Sequence, residues 1–341
     1  MHQLWDGEPG YLNTASYGLP PKPGWDALQA ALTQWRHGST SWEPWADSVE
    51  ESRASFARLV GVDRAAVAVG SVVSAFAGLI AASLPDGATV VIPEGEFTSI
   101  VFPWAVHADR GIDVQEAPLA QLASAITSNT ALVAVSAVQS ADGQLADLEA
   151  IQAAADDAGA LMVVDATQAV GWLPIAAAPY DAVLVSAYKW LMSPRGTAFA
   201  TFSDRLAEQV RPLAAGWFAG EDVHASYYGL PLRLATSARR FDVSPAWHNW
   251  VGTAATLDVV ERIGIGAIHQ HNVRLANRFR AGLGLPPGDS AIVSAQVDGA
   301  TEKLERAGIR AASRAGSLRV SFHVYNTDVD VDLALEALLA K

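Results

Sequence analysis

The chain has 341 residues, half of them hydrophobic and 17% charged, with a formal net charge of −13 at neutral pH. Such a length and composition belong to a globular protein with a sizeable core, and no apolar run reaches the roughly 18 residues that suggest a membrane span. The acidic balance disfavours nucleic acid and anionic membranes as partners, and the lack of any cysteine excludes disulfides, thiolate metal sites and cysteine nucleophiles.

Residues 1–8 have neither the basic start nor the apolar stretch of a secretory signal, so a cytoplasmic location is expected. From about residue 66 to 202, strand-like runs alternate with helix-like runs, the pattern of an α/β, mostly parallel sheet with helices on both faces. Strands are expected at 66–69, 89–92, 113–115, 131–136, 161–164, 182–186 and 197–202. A helix over Leu148–Ala158 should open on an Asp147 cap and stop at Gly159. From 247 the texture changes to long helices and a few short strands, so a smaller α+β domain over 247–341 is expected to follow a large domain over 21–246.

In a sheet of this kind ligands collect at the carboxyl ends of the strands. Gly70, Phe97, Gln139, Asp165 and Lys189 each fall just after a strand candidate. Residues 66–75 read as strand, glycine turn and helix start, whose free first-turn amides suit a phosphate dianion. Taken alone, the segment reads first as a plain strand-to-helix turn. His269 and His271 have an i,i+2 spacing that points them to different helix faces, which is not a metal pair.

Asp165 ends an apolar run, and 24 residues later Lys189 follows another. Singly, such residues are most often a turn acid and a solvated charge. Together they suggest pyridoxal 5′-phosphate, an aldehyde cofactor that needs a lysine amine to hold it as a Schiff base and a carboxylate to keep its pyridine nitrogen protonated. Gln168 is then placed to reach the phenolic oxygen.

The runs Asp-Ala-Thr-Gln at 165–168, Ser-Ala-Tyr-Lys at 186–189, Pro-Arg-Gly at 194–196 and the stretch 317–327 resemble the class V aminotransferase and cysteine desulfurase superfamily of fold type I pyridoxal phosphate enzymes. The resemblance covers roughly residues 11 to 341. It implies Lys189 as catalytic residue and Gly70, Ser71, the Val72 amide and Ser186 as phosphate contacts. Tyr188 stands where histidine is usual; a phenol donates one hydrogen bond but carries no imidazolium charge. Phe97 occupies the position of the family histidine that lies on the cofactor ring, and it stacks without moving protons.

At the substrate end, the resemblance makes Arg319 the anchor of an α-carboxylate. It lays residues 1–20, with Asn13 and Ala15, across the active site. The stretch 240–245 resembles one that reaches the neighbouring subunit's phosphate, which implies a homodimer with shared active sites and Ser244 as a contact in trans. Persulfide chemistry needs a mobile cysteine shortly before the substrate arginine, and 308–316 holds none. Transamination of an α-amino acid is the leading expectation, with a carbon–sulfur β-lyase next. A kynureninase-like hydrolase is a third option, suited to an aromatic pocket lined by Phe97 and to the Gly216–Trp217 pair; Trp217, Trp247 and Trp250 are pocket candidates for a bulky substrate, although large aromatics are more often core. A non-enzymatic regulatory module that only binds the cofactor is a fourth, against which the intact Lys189, Asp165 and Arg319 set stands.

Overall fold

Two adjacent strands of the molecule, Leu161–Asp165 and Ala182–Ser186, are buried along their whole length, which requires the middle of a sheet covered on both faces. The computed structural model describes residues 2–340. In chain order its main elements are α1 (Lys22–His37), α2 (Glu43–Val60), β1 (Val67–Gly70), α3 (Val73–Ala81), β2 (Thr89–Pro93), α4 (Phe102–Ala105), β3 (Asp113–Ala117), α5 (Leu122–Ala125), β4 (Thr130–Ser136), α6 (Leu148–Ala158), β5 (Leu161–Asp165), β6 (Ala182–Ser186), β7 (Ala198–Thr201) and α7 (Asp204–Gln209). There follow α8 (Trp247–Ile263), α9 (Ile265–Gly282), β8 (Ile292–Ala295), α10 (Ala300–Arg306), β9 (Ala312–Arg314), β10 (Ser317–Ser321) and α11 (Asp328–Leu339).

The large sheet has the order β1-β7-β6-β5-β4-β2-β3. Its pairings are parallel from β3 through β6, and β7 runs antiparallel to both β6 and β1. The strands expected from the sequence all form, moved only at their ends: Gly70 and Asp165 are the last residues of β1 and β5 rather than the first beyond them. The carboxyl ends of β1, β2, β4, β5 and β6 therefore share one edge of the sheet.

Side chains alternate between two cores because successive residues of a strand face opposite sides. Val133, Met162, Val164 and Val183 join one cluster with α2, α6 and α8 residues, while Leu132, Val163 and Leu184 join another with Phe76, Ile80 and Trp104. A third cluster, with Phe279, Phe322 and Leu338, fills the space between α9, α11 and the antiparallel sheet β8-β10-β9. Helix α8 packs on α1 and α2. Asp147 caps α6 by accepting from the Ala150 amide at 3.1 Å, and Gly159 ends it with a left-handed φ of 69°, as expected. No helix among the described residues is long and apolar enough to cross a membrane.

Two glycines press on the turn after β6. A Cβ on Gly18 would lie 2.0 Å from the Lys189 carbonyl oxygen, and one on Gly171, whose φ is 114°, would lie 2.4 Å from that of Trp190. The Gly18 amide donates to the Tyr188 carbonyl at 2.9 Å. On the other side, fully buried His323 meets the Trp190 carbonyl through Nε2 at 2.9 Å and Asn272 through Nδ1 at 3.3 Å. Burial lowers the His323 pKa to about 3, which keeps the imidazole neutral.

An imidazole whose folded pKa lies below its unfolded value of about 6.5 contributes stability that is complete above that pH and is lost as pH falls toward 3. Denaturant unfolding should therefore show stability falling below pH 6.5 by roughly 1 kcal/mol per pH unit from this group. His323→Gln should lower stability at neutral pH and flatten that slope; an unchanged slope would count against the neutral buried imidazole.

Candidate active site

Lys189 lies in the turn three residues beyond β6 and is 6% exposed; Asp165 ends β5 and is 5% exposed. Both line one cavity with Phe97, Ser136, Ser186 and Tyr188. The lysine Nζ sits 5.4 Å from the centre of the Phe97 ring and 5.8 Å from that of Tyr188. Burial depresses the Lys189 amine to about 8; Asp165 opposes this, and the charges of Arg319, Arg314 and Arg195 add to it. Burial raises the Asp165 carboxyl, against hydrogen bonding from Thr167 and the nearby Lys189 charge. The Thr167 amide donates to Asp165 Oδ1 at 2.8 Å, and the Thr167 hydroxyl accepts from the Ser186 amide at 3.0 Å, so the ends of β5 and β6 are tied together.

Phe97 is 45% exposed but is mounted on a buried carboxylate. Glu96 accepts from the Phe97 amide at 2.7 Å, the Ser136 amide at 2.8 Å, the Ser136 hydroxyl at 2.7 Å and Gln139 Nε2 at 2.9 Å. Four donors satisfy a carboxylate that would otherwise be costly to bury. Glu96 was not read from the sequence as a site residue; three of its four contacts come from Ser136, at the end of β4, and Gln139 just beyond it, some 40 residues away.

Gln168 lines the cavity, yet its amide is engaged: Nε2 donates to the Ala15 carbonyl at 2.9 Å and Ser140 Oγ at 3.2 Å, and Oε1 accepts from Trp190 Nε1 at 2.7 Å. At the phosphate end, Val72 gives α3 no side-chain cap, and the cavity receives Val73 beside Ser186. Gly70 and Ser71 line a neighbouring apolar cavity with Phe76, Phe241 and Val243. Ser244 is exposed and lines neither cavity. Tyr188 is half-buried, and the Arg195 guanidinium lies 4.8 Å over its ring.

Arg319 is 2% exposed on β10. It donates through Nη1 to the carbonyl and hydroxyl of Ser140 and through Nη2 to Ser16 Oγ at 2.8 Å, while Nε is buried without a partner. Among the described residues it pairs with no carboxylate, contrary to a plain structural arginine. Burial and the Arg314 charge lower its pKa to about 10. Residues 10–15 run beside β10: Ser321 donates its amide to the Leu12 carbonyl at 2.9 Å, and the Ala15 amide donates to Ser321 Oγ at 3.0 Å. Asn13 bridges to Ser321, and its buried Oδ1 has no partner. Trp217 and Trp247 instead cluster with Trp42, Trp250 packs on Phe199, and none of the three lines the Lys189 cavity.

A buried amine, a buried acid at the end of the adjacent strand, an exposed aromatic face and an uncapped helix start fit pyridoxal 5′-phosphate. The unpaired arginine fits a carboxylate beside it.

Residues 30–301 match the family described as aminotransferase class-V. The uncharacterized aminotransferase YcbU of Bacillus subtilis is 28% identical over 97% of this chain and 94% of its own. A kynureninase of Deinococcus radiodurans is 26% identical over 79% of this chain and 70% of its own. The cystine C-S lyase C-DES, solved with its product cysteine persulfide, superposes with a TM-score of 0.88 at 20% identity over 97% of each chain.

The amine reactivity of Lys189 can be read without cofactor. Its rate of reductive methylation in the cofactor-free protein should rise with a midpoint near pH 8 rather than 10.5. Asp165→Asn removes the one nearby charge that favours the ammonium and should move the midpoint lower. A midpoint in the ordinary lysine range would mean the amine is solvated.

Proposed function

The chain belongs to the aminotransferase class-V family and is a pyridoxal phosphate-dependent enzyme, and from that premise we propose that it is an aminotransferase acting on an α-amino acid. The observation that carries the reading is the buried Lys189 amine held between Phe97 and the Asp165 strand end, with Arg319 unpaired at the substrate side. When bound, the cofactor supplies an electron sink for the substrate's α-carbon. Lys189 would hold it and, with its amine near pH 8, accept and return the α-proton. Asp165 would keep the ring nitrogen protonated, and Gln168, pinned by three contacts, would present a fixed edge toward the phenolic oxygen. Gly70, Ser71, Val72 and Ser186 would hold the phosphate, with Tyr188 beside them.

Arg319 would take the substrate α-carboxylate on Nε and Nη2 in a planar fork, with Asn13 and Ala15 closing the same side. The stretch 1–20 across the site, the large part 21–246 and the smaller part 247–341 belong to this reading, as do a cytoplasmic homodimer and the Ser244 contact in trans. Exposed Tyr228, Leu230 and Leu232 support a subunit interface.

A second reading, a carbon–sulfur β-lyase, is favoured by the likeness to the cystine lyase over almost the whole chain. A kynureninase-like hydrolysis stands behind it, supported by the kynureninase relative and the Phe97 face. Desulfuration through a cysteine of this chain is excluded from the proposal, because the sequence contains none.

Mixing cofactor-loaded protein with a panel of amino acids, without a keto acid acceptor, separates these readings. Transamination predicts one equivalent of keto acid and a cofactor left in its amine form. Continuing release of keto acid with a leaving group would replace the aminotransferase reading by the lyase. Lys189→Ala should lose at least about a thousandfold in turnover, and borohydride should fix the cofactor to residue 189 only in the wild type. Arg319→Ala should raise KM for free amino acids about ten- to a hundredfold with a smaller change in kcat, and an unaltered KM would remove it as the anchor.

A further inference from the structure

The substrate side of the cavity carries more positive charge than an α-carboxylate needs. Arg314 ends β9, and Arg319 lies in β10; the register pairs Ser317 with Arg314 and Arg319 with Ala312. Directly paired residues share a face of an antiparallel hairpin, and so do residues two apart on one strand. Arg314 and Arg319 are therefore diagonal neighbours on the same face.

Both guanidinium groups reach one oxygen: Ser16 Oγ accepts from Arg319 Nη2 at 2.8 Å and from Arg314 Nη2 at 3.5 Å. The only other acceptor contacted by Arg314 among the described residues is the carbonyl of Ser313, at 2.8 Å, and neither arginine pairs with a carboxylate among them. The two-residue turn between the strands holds Ala315 and Gly316 at φ of 46° and 78°. Both values are positive, which suits the right-handed twist of a tight hairpin and fixes where Arg314 leaves the strand. A left-handed alanine is disfavoured, so the turn is held in this form by its surroundings.

Acidic groups at the cavity do not answer these cations. Glu96 is saturated by four donors, and Asp165 lies at the strand end with its Thr167 contact. Like charges on diagonal positions of one hairpin face repel unless an anion joins them. A single α-carboxylate on Arg319 neutralises one; the exposed guanidinium beside it is left for another.

We propose that Arg314 is a specificity-determining residue that binds a second anionic group, so that the preferred substrates are amino acids carrying a carboxylate on the side chain. The α-carboxylate lies on Arg319 and the distal one on Arg314, with Ser16 holding the two forks apart. This rests on the reading of Arg319 as the substrate anchor.

The test uses unreactive ligands as well as turnover. Calorimetric titration of the cofactor-loaded protein should show glutarate binding about tenfold tighter than butyrate, the difference shrinking at high salt. Arg314→Gln should bring the two ligands to equal affinity, Arg314→Lys should restore part of the preference, and Arg319→Gln should weaken both. In parallel, the ratio of kcat/KM for glutamate over glutamine should fall about tenfold in Arg314→Gln. Equal binding of glutarate and butyrate by the wild type, or an Arg314→Gln variant that keeps the preference, overturns the proposal. Loss of cofactor from that variant would assign Arg314 to the cofactor and overturn it equally. Failure of the underlying enzyme reading has a separate signature: no borohydride-fixed cofactor on Lys189.

Discussion

An amine and a carboxyl group are held out of water at neighbouring strand ends, and the structure around them is organised to make that tolerable. Burial disfavours both charged forms, pushing Lys189 down to about 8 and Asp165 up, while each one's field favours the charge on the other. Their separation is fixed by backbone: β5 and β6 are adjacent and parallel, and Thr167 ties the end of one to the end of the other. The lysine turn is then pressed from two sides by Gly18 and Gly171, where no larger residue fits, and from a third by His323 on the Trp190 carbonyl. A buried lysine on a loose turn would swing into solvent and regain its ordinary pKa. The parts of the chain that prevent this come from residues 18, 171 and 323, which only the completed fold brings together.

The charge inventory of the cavity is lopsided in a way that gives it chemical direction. Its acids are engaged, Glu96 by four donors and Asp165 by Thr167. The cations near it meet no carboxylate among the described residues: Arg319 keeps a buried Nε without partner, and Arg314 and Arg195 act on Lys189 through their charges. These charges depress Lys189 further, so the same arginines that suit an anionic ligand also leave more of the amine unprotonated at neutral pH before that ligand arrives.

Much of this was legible in the sequence, for reasons that are local. Apolar runs ending in Asp165 and before Lys189 announce central strands, and the alternation of strands and helices announces a parallel sheet whose ligand edge follows from topology alone. The Asp147 cap and Gly159 stop mark α6 because capping is decided within a few residues. What escaped were groups whose meaning comes from distant partners. Glu96 looks like any glutamate until the end of β4 and the segment after it deliver Ser136 and Gln139. Ser16 is one serine among many until β10 brings Arg319 to its hydroxyl. The tryptophans, which the sequence offered as pocket candidates but more readily as core, pack with other aromatic rings outside the Lys189 cavity, Trp217, Trp247 and Trp250 alike.

Phe97 and Tyr188, at positions where the family resemblance leads one to expect histidine, restrict what the site can do with protons. Phe97 does not titrate. Burial raises the Tyr188 phenol, which stays a neutral donor at ordinary pH, and His323 is buried, neutral and committed to the Trp190 carbonyl and Asn272. Burial brings Lys189 down to about 8, while Asp165, which burial raises, is assigned on the proposed reading to the ring nitrogen. A general base works best when its pKa lies near the operating pH, so on this reading the α-proton has one carrier, and its fate depends on where the Lys189 amine can reach. Transamination and β-elimination then differ in whether that carrier returns the proton to the cofactor side or the substrate loses a leaving group first. On the same reading that choice would fall to the substrate end of the cavity, where Arg314, Arg319 and Ser16 would set how the side chain is presented.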